Sequence, residues 1–116
     1  MKIMAFEKWK ILGEGNEDDS KADLMKTEIL MDTETKKMVN FAVIQLHNIN
    51  GKMHQIKKHD FSHGTYNIHA YYEKLNDRKE YPEEILGHEL FLRCKKDITD
   101  NWMEYRKRYA RKYPET

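Results

Sequence analysis

The chain has 116 residues with 35% charged and 39% hydrophobic residues, enough for one modest core in a single domain spanning 1–116. Its formal net charge of +1 supplies no global field to pull it onto nucleic acid or an acidic membrane surface. The single cysteine, Cys94, excludes an internal disulfide and fits a reducing, cytoplasmic setting.

No apolar run approaches a membrane span, and Met1–Phe6 is too short for a signal peptide. A soluble cytoplasmic protein is the expectation, without cofactor. Phe6–Leu12 reads as a short strand or a helical turn with Trp9 and Ile11 on its buried side. Gly13–Ser20 carries Glu14, Glu17, Asp18 and Asp19 beside two glycines and reads as an acidic loop, solvated or self-recognising.

Alternation then begins. Met25, Thr27, Ile29 and Met31 share one strand face, opposite Lys26 and Glu28. The methionines suit a core. After a polar turn, Met38–His47 is apolar enough for a central strand. Asn50-Gly51 is a strong hairpin signal, because a type I′ turn needs φ > 0 at both central residues. A two-residue loop there sets His47 opposite His54. A third strand follows over Lys52–His59, then a turn over Asp60–Gly64, then a fourth strand over Thr65–Tyr72. The strands thus occupy about 24–72.

The remainder is helical, over about 83–113. Tyr81-Pro82-Glu83-Glu84 looks like a helix start, with Ile85, Leu86, Leu90 and Cys94 turned inward. A fifth strand over 88–94 is the alternative. Asp97 fits the cap of a helix in which Ile98, Trp102, Tyr105, Tyr109 and Tyr113 recur at helical spacing, closed by Pro114. The predicted fold is α+β: a four- to five-stranded antiparallel meander packed by one or two C-terminal helices.

Chemistry gathers at the Asp60 turn and the strand leaving it. Period-two geometry puts Tyr66, Ile68, Ala70 and Tyr72 on the core face, and Thr65, Asn67, His69 and Tyr71 on the other. Three readings stand. His63 and His69 could act as general acid and base, oriented by Asp60, with Lys57 or Lys58 steadying phosphate charge, as in metal-independent ribonucleases. Asp60, His63 and His69, or His47 with His54, could bind metal, although no compact ligand motif is present. Or the polar groups simply hold the turn.

The helix end repeats this ambiguity. Arg106, Lys107, Arg108, Arg111 and Lys112 alternate with tyrosines, which suits RNA. It equally suits a buried tyrosine stripe flanked by solvated bases that offset the helix dipole. Cys94 reads as an inert buried thiol, although Lys95 and Lys96 could lower its pKa.

Two segments carry a family likeness. Lys58-His59-Asp60-Phe61-Ser62-His63-Gly64 resembles the Arg-Tyr-Asp-x-x-His-Gly turn of a small prokaryotic family of unknown function. Asp97-Ile98-Thr99-Asp100-Asn101-Trp102-Met103-Glu104-Tyr105 is similar to that family's Asp-Ile-x-x-Asn-Trp-x-x-Tyr helix. A looser similarity reaches the TumE-type toxins of toxin–antitoxin pairs. The chain departs from the pattern with Lys58-His59 for Arg-Tyr, Asn67 for a histidine, and His69 where the family is often acidic.

The expectation is a toxin-like, metal-independent ribonuclease, with catalytic His63, His69 and Asp60 and binding residues Lys58, Asn67, Tyr71, Arg108 and Arg111. Its partners would be RNA, an antitoxin protein and a second copy of the chain. The alternative is a non-catalytic binding or assembly module of a small homodimer.

Overall fold

A computed structural model describes residues 2–13, 22–74 and 78–114. Six strands form one sheet in sequence order, every neighbouring pair antiparallel. They are β1 (Ile3–Leu12), β2 (Asp23–Asp32), β3 (Met38–Ile49), β4 (Lys52–Asp60), β5 (Tyr66–Ala70) and β6 (Arg78–Tyr81). A single helix, α1 (His88–Lys112), lies across one face of the sheet. The α+β class and the meander agree with the sequence. Among the described residues the strands number six rather than four or five, and there is one α-helix.

The central hairpin forms as its turn chemistry requires. Asn50 and Gly51 both have positive φ, at 53° and 83°. His47 pairs with His54, as a two-residue loop demands. Gly51→Ala adds no clash, since nothing lies within 4 Å of a Cβ built there. It forces a side chain into left-handed backbone, which costs about 1–2 kcal/mol. A urea midpoint unchanged in that variant would contradict the assignment.

The core lies between sheet and helix. Met25, Phe41, Val43 and Tyr66 meet Leu90, Phe91, Cys94, Ile98 and Trp102. These helix residues recur every three or four positions, so one stripe faces the sheet. A bulge near Gln45 and Leu46 places an extra residue in β4, so that Ile56 and Lys57 both turn toward α1.

Three expectations are corrected. Trp9 and Ile11 are each 52% exposed, because they stand on the sheet face away from α1, opposite Lys26 and Leu24. The helix starts at His88, not near Glu83. Tyr81 instead ends β6, a turn follows in which the Glu84 amide donates to the Tyr81 carbonyl, and Ile85 is exposed. The residues 88–94 are therefore helical, and Asp97 sits mid-helix facing the sheet rather than capping it. The predicted acidic loop, with Glu14, Glu17, Asp18 and Asp19, lies outside the described residues. Among the described residues no helix is long and apolar enough to cross a membrane.

Candidate functional site on the open sheet face

The face of the sheet away from α1 is ordered by register. One cross-strand row reads Trp9, Lys26, Ile44, Lys58, His69, Arg78. The neighbouring row, two residues along each strand, reads Glu7, Glu28, Ala42, Asp60, Asn67, Glu80. Basic groups thus stand beside acidic ones. Lys26 Nζ reaches Glu7 at 3.0 Å and Glu28 at 2.9 Å, and Arg78 pairs with Glu80.

The β4–β5 end of this belt is built around Asp60. Its Oδ2 lies 3.4 Å from His69 Nε2 and 3.6 Å from Lys58 Nζ. Its Oδ1 accepts from the Ser62 amide and from Asn67 Nδ2, both at 3.3 Å. The Asp60 side chain is only 5% exposed, whereas His69 and Lys58 keep 22% and 30%. The carboxylate is therefore a fixed anchor, and the two basic groups are what solvent meets. The His69 ring stacks on Tyr71, with centroids 5.9 Å apart. A cavity of about 130 Å³ opens beside Asp60, lined also by Glu28, Asn40, Lys58 and Ser62.

Of the predicted residues, the structure gathers Asp60, Lys58, Asn67, His69 and Tyr71. Asn67 is 5% exposed and bonds the Thr65 and Ser62 carbonyls as well as Asp60. It shapes the turn and is not offered to a ligand. His63 belongs to the 3-10 turn Ser62–Gly64, and its side chain lies outside the described residues. Arg108 and Arg111 lie elsewhere. They line an open depression of about 510 Å³ with Tyr72, Glu73, Lys74 and Lys112, and none of Asp60, Lys58 or His69 borders it.

On the covered face the sequence left a second constellation unread. Asp97 Oδ2 accepts from His59 Nε2 and Lys57 Nζ, each at 2.8 Å, and Tyr105 donates to Oδ1. Asn101 Nδ2 adds a bond of 3.3 Å to Oδ1. Lys57 also stands 4.0 Å from the Tyr105 ring centroid. Burial alone would raise the Asp97 pKa. The bonds from His59, Lys57 and Tyr105 outweigh it and hold the carboxyl well below the usual carboxylate range. Burial pulls the His59 pKa below its ordinary value, against the hydrogen bond it donates to Asp97.

His59 is thus neutral, and its partners fix the tautomer. Nε2–H donates to Asp97, while Nδ1 accepts from the Tyr66 hydroxyl at 2.7 Å. The Cys94 thiol donates in turn to the Tyr66 oxygen at 3.4 Å. Burial lifts the Tyr66 phenol far above its usual range and pushes the thiol up to about 11, so Cys94 is inert as expected. His59, Tyr66 and Cys94 are buried and Asp97 is partly so, and together these bonds fasten α1 to the sheet.

A smaller buried set does similar work. Gln45 Nε2 donates to Asp23 Oδ2 at 2.8 Å and to the Trp102 carbonyl at 2.9 Å. His47 Nδ1 lies 2.7 Å from Asp23 Oδ1. Burial raises the Asp23 pKa against the pull of Gln45, His47 and Arg106. His47 is thus engaged by Asp23 and His54 by Tyr109. Among the described residues no three His, Cys, Asp or Glu side chains converge to hold a metal ion.

These shifts predict a two-stage response to acid. A histidine with a lowered folded-state pKa favours the fold only while the unfolded ring is also neutral. That contribution is complete above about pH 6.5 and is lost as pH falls below it, by up to about 1.4 kcal/mol per pH unit. Asp97 has a depressed pKa, so its contribution holds above about pH 4 and is lost as pH falls further. Urea midpoints are expected to fall from pH 7 to 5, less steeply in His59→Gln, and in the wild type to fall again below pH 4. Equal slopes for both proteins between pH 7 and 5 would refute the assignment to His59.

The chain belongs to the family described as Domain of unknown function (DUF7718), whose model matches residues 17–115. No curated protein and no solved structure matches it.

Proposed function

We propose that this member of the DUF7718 family is a toxin-like, metal-independent ribonuclease whose substrate site is the Asp60 end of the open sheet face. The carrying observation is that Lys58 and His69 share one buried carboxylate. Asp60 faces both the Lys58 ammonium and His69 Nε2, so a cation and a proton-transfer group stand side by side toward solvent over one fixed carboxylate. That is a local site for a phosphodiester on a chain that is nearly neutral overall.

In this reading Asp60 keeps a proton on His69 Nε2 and leaves Nδ1 to act as base. Nδ1 takes the proton of a ribose 2′-hydroxyl, and the O2′–P bond forms. The P–O5′ bond breaks, and the departing oxygen receives a proton from His63, in the turn before β5. The products are a 2′,3′-cyclic phosphate and a 5′-hydroxyl. Lys58 steadies the charge developing on phosphorus, Tyr71 offers a ring for base stacking, and Arg108 and Arg111 give remote phosphate contacts. The similarity of the Asp60–Gly64 turn to TumE-type toxins supports the same reading, and with it an antitoxin partner.

The test is incubation of the purified protein with mixed single-stranded RNAs in EDTA. Expected are fragments ending in 2′,3′-cyclic phosphate, with a bell-shaped pH profile. Intact RNA in every condition would overturn the proposal.

A second reading, a non-catalytic binding module, draws on the other end of the belt. There Lys26 is paired with both Glu7 and Glu28, and an apolar patch of Ile11, Ala22, Leu24, Leu46 and Met53 adjoins it. Stoichiometric binding of a protein to that patch, without RNA cleavage, would favour it.

A further inference from the structure

Two cavities beside α1 share a wall. On the sheet face that α1 packs against, a slot of about 160 Å³ is lined by Ile68, Ala70, Tyr72 and Tyr81, with Lys57 among its polar groups. Tyr72 and Glu73 line both this slot and the depression of about 510 Å³ at the end of α1. Tyr72 is a rigid wall: its ring stacks on Tyr105 with centroids 5.1 Å apart, and the Arg108 guanidinium stands 5.7 Å from it.

The depression is positive. Lys74, Arg108, Arg111 and Lys112 line it with one carboxylate, Glu73. Arg108 is also paired with Glu104 at 3.2 Å. Lys112 donates to the Tyr71 and Glu73 carbonyls at 3.0 and 2.6 Å, neutral partners that fix the ammonium without cancelling its charge. Among the described residues four cations thus stand against two carboxylates. The helix dipole adds only about half a negative charge at this end, too little to absorb the surplus.

We infer that depression and slot form one groove for a single strand of RNA. Phosphates lie along Lys74, Arg108, Arg111 and Lys112, and one unstacked base enters the slot against Tyr72 and Tyr81. An acidic peptide would match the charge but leave the aromatic slot empty. A duplex keeps its bases stacked and cannot fill it. The groove extends the ribonuclease reading, on which the choice of RNA rests. Tyr71 stacks on His69, and the next residue, Tyr72, walls the groove, so a bound strand reaches the Asp60 site around the end of β5.

The test is fluorescence anisotropy of the whole chain with a labelled 2′-O-methyl RNA dodecamer in EDTA. The blocked 2′-oxygen cannot attack phosphorus, so binding is read whether or not the protein is a nuclease. The single strand is expected to bind, and the same strand annealed to its complement about fivefold more weakly despite its added charge. Lys74→Ala/Arg111→Ala is expected to lower affinity about tenfold and to flatten the slope of log K against log salt by about 1.4. Lys8→Ala/Lys10→Ala, an equal loss of charge on β1, is expected to change neither. Ala70→Leu fills the slot without altering charge and is expected to weaken binding about fivefold. Binding without cleavage of the unmodified strand would remove the nuclease and keep the groove. No binding by the wild type, tighter binding of the duplex, or equal losses in the two double variants would overturn the proposal. So would full affinity in Ala70→Leu, or displacement of the dodecamer by an equal concentration of octaglutamate.

Discussion

Replacing Asp97 by asparagine is expected to destabilise the fold by about 3–5 kcal/mol, because it strips the counter-charge from a buried lysine. The Lys57 side chain is 9% exposed and His59 3%, and both donate to the oxygen that the substitution alters. An amide can neither balance the ammonium nor accept from three donors at once. At this chain length that loss lowers the thermal midpoint by roughly 10–20 °C. The stranded charge has a signature. Lys57→Met in the Asp97→Asn background is expected to restore part of the stability, since it removes the uncompensated ion. A single variant within about 1 kcal/mol of wild type would show that the constellation does not carry the helix.

His69→Ala is expected to lower RNA cleavage by about 10²–10⁴-fold while leaving stability nearly unchanged. His69 is partly exposed and rests on Asp60 from outside, so its loss opens no core. His63→Ala is expected to fall in the same range. The pH profile separates their roles: without the base the acidic limb flattens, and without the acid the alkaline limb does. His59→Gln serves as the contrast, because that ring is enclosed under α1 and should cost stability rather than rate. Cleavage by His69→Ala at the wild-type rate would remove His69 from the chemistry.

The central hairpin was legible because each of its signals is local. Alternation marks β2, an apolar run marks β3, Asn50-Gly51 sets the turn, and period two puts Tyr66 and His69 on opposite faces of β5. β6 escaped because Arg78–Tyr81 has no apolar alternation and exists as a strand only by pairing with β5. Asp97 misled because aspartate is a good cap residue, whereas here it faces His59, 38 positions away in the chain. The sequence offers Lys57 with Lys58 as a phosphate contact, because nothing in it announces the bulge that turns Lys57 toward α1. Local pattern thus locates the Asp60 turn and its open-face neighbours. It says nothing of which side chains the helix meets.

Nearest-neighbour order of the strands has a kinetic side. Every sheet contact closes a short loop, so the six strands can zip outward from the Asn50-Gly51 turn at low entropic cost. Only α1 must search far along the chain: Gln45 waits for Trp102, 57 positions on, and Met25 for Thr99, 74 positions on. The helix is therefore expected to dock late and to detach first as a unit. Hydrogen exchange should then show amides of β3 and β4 outlasting those of α1.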